Sequence, residues 1–144
     1  ARFKGKAVLV VNTASFCGYT HQYEGLQKLW QARRDAGLVV LGVPSNDFGA
    51  QEPESESRIK EFCEVTFAID FPMTAKARVR GPDAHPLYKW IAQRLGPRDG
   101  EPRWNFHKFL IAPDGSVMAA FGSAVEPLSP ELGKAIDAAL RSAK

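Results

Sequence analysis

Two short runs, Ala7-Val8-Leu9-Val10-Val11 and Leu38-Val39-Val40-Leu41-Gly42-Val43, limit the fold of this chain more than anything else in it. Both are continuously apolar and rich in β-branched residues. Such a run suits a strand covered on both faces rather than one that alternates between core and water. Between them Tyr23, Leu26, Leu29 and Trp30 recur at helical spacing, and Gly37 follows the charged Arg33-Arg34-Asp35. A helix from about Thr20 to Ala36 is therefore expected, stopping at that glycine. Strand, helix, strand predicts a right-handed βαβ unit with parallel strands, the first of them central and the second ended by Pro44.

Further along, Ser55 can cap a helix carrying Ile59, Phe62 and Cys63 on one face and ending near Thr66. Phe71-Pro72-Met73 and Ala77 to Arg80 read as short extended pieces before a Gly81-Pro82-Asp83 turn. Leu87, Tyr88, Ile91 and Leu95 mark another helix, and Gly96 to Arg103 reads as a loop. Phe106 and Phe109 to Ile111, the Pro113-Asp114-Gly115 turn and Val117 to Phe121 predict a β-hairpin. Ser129-Pro130 starts a last helix, whose stripe of Leu132, Ala135, Ile136, Ala139 and Leu140 should pack on the sheet. With no repeat or linker, residues 1–144 read as one α/β domain of thioredoxin-like fold, a central mixed β-sheet flanked by α-helices.

Composition narrows the function more by exclusion. A formal charge of +3, with no basic run longer than Arg33-Arg34, gives no reason to invoke nucleic acid. The longest apolar run is far too short to span a bilayer, so a soluble protein is expected. Two cysteines do not make a disulfide scaffold or a CxxC pair; they are independent thiols or they meet in space. Two Cys and three His with no short ligand spacing argue against a metal site. The chain begins at Ala1 without a Met, and the compartment is left open, the cytoplasm being favoured over the periplasm.

Cys17 falls at the first strand-to-helix turn. There the unpaired N–H groups and the positive dipole end of the helix favour thiolate over thiol, although a small buried hydrophobe is the competing reading. In a parallel α/β sheet, ligands bind outside the carboxyl ends of the strands. That rule puts the Cys17 turn and the polar loop from Ser45 to Pro53 on one edge, joined by Trp104-Asn105-Phe106 at the start of the hairpin. Gln51 and Asn105 offer amide N–H donors and Trp104 an indole N–H. A thiolate with such donors suits peroxide reduction: sulfur attacks the terminal oxygen, the O–O bond breaks, and the donors stabilise the departing alkoxide or hydroxide. His21 could serve as a proton shuttle, a solvated first-turn histidine being the simpler reading; His85 and His107 look incidental. Cys63 on its own reads equally as a buried helical thiol.

Three ordered segments, Asn12 to Thr20, Gly42 to Pro53 and Trp104 to Leu110, closely resemble the signature segments of the glutathione peroxidase family. The resemblance implies that Cys17 is the peroxidatic residue, in the place of the selenocysteine of the animal selenoenzymes, with Gln51, Trp104 and Asn105 completing a catalytic tetrad. It also implies that Cys63 is the resolving cysteine, that a Cys17–Cys63 disulfide forms, and that thioredoxin, in preference to glutathione, reduces it with no bound cofactor. Because Cys63 is expected on a helix, that disulfide would require the helix to unwind at least partly. A peroxide sensor that passes its oxidation to a partner protein is the alternative. Ser45 stands where many relatives have Cys, Asp47 where they have Gln, Glu54 where they have Gly and Arg80 where they have Asn. The short Gly96 to Arg103 connection implies a monomer or weak dimer, and the extended segment that usually precedes Phe3 in the family is not seen.

Overall fold

Strand β1 (Ala7–Thr13) is buried along its whole length because it has a neighbour on each side and a layer of side chains on each face. The computed structural model describes residues 3, 5–14, 21–47, 59 and 68–142. Helix α1 (Gln22–Arg33) follows, extends through a single 3-10 turn at Arg34–Ala36, and stops at Gly37, whose φ of +107° is a conformation only glycine takes without strain. The stop lets Ala7 N–H donate to the Gly37 carbonyl at 3.0 Å, so the chain turns straight into β2 (Leu38–Pro44). β1 and β2 pair in parallel from Ala7↔Leu38 to Thr13↔Pro44, which is the expected βαβ unit.

On its free side β2 takes one isolated parallel bridge, Gly42↔Met73. Gly42 N–H donates to the Pro72 carbonyl and Thr74 N–H to the Gly42 carbonyl. The Phe71 to Met73 piece is thus extended, as expected, but too short for a strand. On the other side of β1 lie β3 (Lys108–Ile111) and β4 (Val117–Phe121), each antiparallel to its neighbour, for an order β2-β1-β3-β4. The turn between them is held by the Asp114 carboxylate, which accepts from Ser116 N–H and Oγ–H.

Helix α2 (Pro86–Asp99) starts after His85, whose Nδ1 accepts from Leu87 N–H at 3.1 Å; this histidine is a helix cap. The loop expected from Gly96 is partly helical. The backbone breaks at Gly96 (φ +84°) and then makes one more turn to Asp99, closed by Gly100 N–H donating to the Gly96 carbonyl. Helix α3 (Pro130–Arg141) begins as expected, with Ser129 Oγ accepting from Leu132 N–H and Pro130 in its first turn.

Alternate residues of β1 feed two cores. Leu9 and Val11 pack with Tyr23, Leu26, Leu110, Leu132 and Ile136 under α1 and α3. Val8 and Val10 pack with Val79, Tyr88, Ile91 and Phe109 under α2. Two covered faces are why the strand reads as an unbroken apolar run. Of the helix expected from Ser55 to Thr66, only Ile59 is described; it is helical and buried in the α1 face. Among the described residues no helix is long and apolar enough to cross a membrane.

Candidate active site

The carboxyl ends of β1 and β2 and the chain leading into β3 meet at one edge of the sheet. Ser45 N–H donates to the Thr13 carbonyl at 3.0 Å, tying the exit of β2 to that of β1. Phe106 N–H donates to the Asn12 carbonyl at 2.6 Å, and Asn12 Nδ2 donates to the Trp104 carbonyl at 2.9 Å. The same edge therefore carries the end of the strand that runs toward Cys17 and the Trp104-Asn105 turn, as topology required. Asn105 is fully buried, while Trp104 keeps about a third of its surface exposed (36%). Cys17, Gln51 and Cys63 lie outside the described residues; Ala14 and Asp47 are the last described residues before the first two.

The turn that presents Trp104 and Asn105 is unusual. Phe106 has φ +63°, left-handed for a bulky residue, two residues before β3 begins. Its ring is buried edge-on against Tyr23, centroids 5.2 Å apart at 85°, so α1 packing holds it in place. Its carbonyl accepts from Lys108 Nζ at 2.7 Å. Lys108 has no exposed surface, and burial pushes its ammonium down to about 8, the Glu126 carboxylate opposing that fall.

Lys108 and His107 are the residues that sequence reasoning passed over. The signal for Lys108 was available: a lysine between Phe106 and Leu110 on a strand of period two must point with them into the core. His107, read as incidental, is buried on the opposite face (6% exposed) beside Phe109. It lines an open hollow of about 420 Å³ with Leu95, Asp99, Arg103, Ala120 and Gly122. Burial, then the charges of Lys108 and Arg103, lower its pKa to about 4, so the imidazole is neutral at pH 7. Neither ring nitrogen has a hydrogen-bond partner among the described residues. His21 is exposed, its Nε2 3.3 Å from the Glu126 carboxylate. No group of three or more His, Cys, Asp or Glu able to hold a metal occurs among the described residues.

Two departures from the family pattern turn out to touch each other. The Asp47 carboxylate accepts from Val79 N–H at 2.7 Å and Arg80 N–H at 3.4 Å, and the Arg80 guanidinium donates to the Asp47 carbonyl at 2.9 Å. Together they clip the chain leaving β2 to the 79–80 segment.

The family model for glutathione peroxidase matches residues 1–92. The chain is 46% identical over 138 residues to the glutathione peroxidase-like peroxiredoxin GPX5 of Chlamydomonas reinhardtii, covering 94% of this chain and 85% of that protein. It is 44% identical over 133 residues to the hydroperoxy fatty acid reductase gpx1 of Synechocystis, covering 87% and 78%. Among solved structures, Trgpx in apo form superposes with a TM-score of 0.75 at 39% identity, over 97% of this chain and 84% of that one. A thioredoxin-family thiol:disulfide interchange protein of Chlorobium tepidum, at 19% identity and TM-score 0.69 over 96% and 82%, extends the likeness at the level of fold alone. With a thioredoxin-like mixed sheet, a signature turn fixed against the end of its first strand, and relatives at this level of identity, the chain belongs to the glutathione peroxidase family, oxidoreductases of the peroxidase class.

Proposed function

We propose that this protein is a thiol peroxidase that reduces hydrogen peroxide and organic hydroperoxides through Cys17 and is regenerated through Cys63 by thioredoxin. The observation that supports this best is the mesh of Asn12, Trp104 and Phe106, which seats the Trp104-Asn105 turn at the end of the strand that runs to Cys17. The names of the relatives, a peroxiredoxin and a hydroperoxy fatty acid reductase, agree with it.

The Cys17 thiolate attacks the terminal oxygen, the O–O bond breaks, and its electron pair leaves with the alkoxide or hydroxide. Gln51, Trp104 and Asn105 donate hydrogen bonds to that departing oxygen, which becomes alcohol or water on protonation. Sulfur is left as a sulfenic acid. Cys63 attacks that sulfur, water departs and a Cys17–Cys63 disulfide forms, which the dithiol of thioredoxin reduces by exchange. No bound cofactor takes part, and glutathione is the secondary reductant. The working unit is a monomer or weak dimer, and the helix that carries Cys63 unwinds at least partly to let the sulfurs meet.

One equivalent of hydrogen peroxide added to the reduced protein should give a Cys17–Cys63 disulfide by mass spectrometry. Cys63→Ser should stop at the Cys17 sulfenic acid and lose most turnover with thioredoxin and its reductase. Undiminished turnover of that variant would overturn the resolving role, and an inert Cys17 would overturn the mechanism.

A further inference from the structure

We infer that Lys108 is a positioning residue for the Trp104 and Asn105 donors: its buried ammonium, bonded to the Phe106 carbonyl, holds the left-handed turn that presents them. The role of those two donors rests on the peroxidase reading; the placement of the turn does not.

Three consecutive peptide groups are held from outside the turn. The Trp104 carbonyl accepts from the Asn12 side chain at 2.9 Å, Phe106 N–H donates to the Asn12 carbonyl at 2.6 Å, and the Phe106 carbonyl accepts from Lys108 Nζ at 2.7 Å. Asn105 lies between these anchors. Phe106 is left-handed, a conformation that a bulky residue keeps only where its surroundings enforce it. The Tyr23 contact holds the ring of Phe106; Asn12 and Lys108 hold its backbone.

Lys108 is an expensive choice for the sheet alone. It pairs with Val11 of β1 and with Phe121 of β4, and its neighbours on that face, Phe106 and Leu110, belong to the apolar core under α1 and α3. A leucine would fill such a register position without desolvating a charge. What only an ammonium supplies is a strong donor reaching back two residues to the carbonyl of the strained position.

The charged groups around it come from three elements. Glu126, between β4 and α3, acts on it electrostatically and takes hydrogen bonds from Gln22 and His21 at the start of α1. His107, immediately before β3, is neutral above about pH 4. Arg103, before the turn, lies with His107 at the hollow on the opposite face.

The test labels the protein, reduced and intact, with 5-fluorotryptophan, giving fluorine resonances for Trp30, Trp90 and Trp104. In Lys108→Met the Trp104 resonance should move or broaden while the other two stay, and the rate of Cys17 oxidation by hydrogen peroxide should fall about tenfold to a hundredfold, the cost of misplacing a reacting group by about 1 Å. An unchanged Trp104 resonance overturns the proposal whatever the activity. Movement of all three with loss of thermal stability marks a lysine that serves the fold generally, and also overturns it. If the wild type fails to reduce peroxide while Trp104 still moves selectively, the peroxidase reading falls and the positioning role stands. Should Lys108→Met not fold, Lys108→Gln, whose amide nitrogen stops one bond short of the ammonium, takes its place in the same measurement: selective movement of the Trp104 resonance supports the role, and an unmoved one refutes it.

Discussion

His107 is a neutral imidazole wedged beside Phe109, with a buried ammonium and a guanidinium as its electrostatic neighbours. Its folded pKa, about 4, lies below the ordinary 6.5, so between those values the unfolded chain binds the extra proton. Stability is therefore complete above about pH 6.5 and declines as pH falls toward 4. At pH 5 the loss should be about 1–2 kcal/mol, and His107→Gln should flatten that part of the slope. Urea midpoints at pH 7 and pH 5 for the two proteins measure it. Nothing in the sequence marked this residue, because its importance comes from burial against α2 and from charges placed by folding. Asp47 and Arg80 teach the same lesson. Each looked like an isolated departure, yet they bond to each other across the end of β2.

At the level of elements, periodicity carried the reading far. The two strands, the helix between them, the hairpin and the capped last helix lie where apolar pattern and turn chemistry placed them. The misreading at Gly96 has a local cause: a glycine and a proline normally announce a loop, but here the glycine takes φ +84° and the helix resumes for one turn. Side-chain clamps between elements were not legible. Gln27 of α1 is buried; its Nε2 donates to the Asp70 carboxylate at 2.6 Å and its Oε1 accepts from Asp70 N–H at 3.0 Å. Gln27→Ala should destabilise by about 1 kcal/mol, since it removes two hydrogen bonds to Asp70, whose exposed carboxylate is left to water and to Arg34. Chemical denaturation at pH 7 reads that loss directly. Peroxide reactivity per folded molecule should hold, because this clamp is made with the 68–70 segment and not with the Trp104-Asn105 turn.

For the whole molecule, the decisive geometry is that β1 lies between partners drawn from opposite ends of the chain. β2 is reached through one helix, but β3 joins it only after a separation exemplified by the Asn12 to Trp104 bond, 92 residues apart. The candidate site sits at that junction. Its placement was legible because strand ends in a parallel unit fix an edge, and strand alternation turns Lys108 inward; the left-handed Phe106 was not, since it depends on packing from α1. Closing so long a loop is slow relative to forming the βαβ unit, and its entropic cost comes before any reward. On dilution from denaturant, peroxide reactivity should thus return with the slowest phase of sheet formation and never ahead of it, as interrupted-refolding assays can follow. A nascent chain that has folded only its first βαβ would carry the end of β1 without the Trp104-Asn105 turn that is bonded to it, so under the proposed mechanism its thiol would react as an unassisted cysteine.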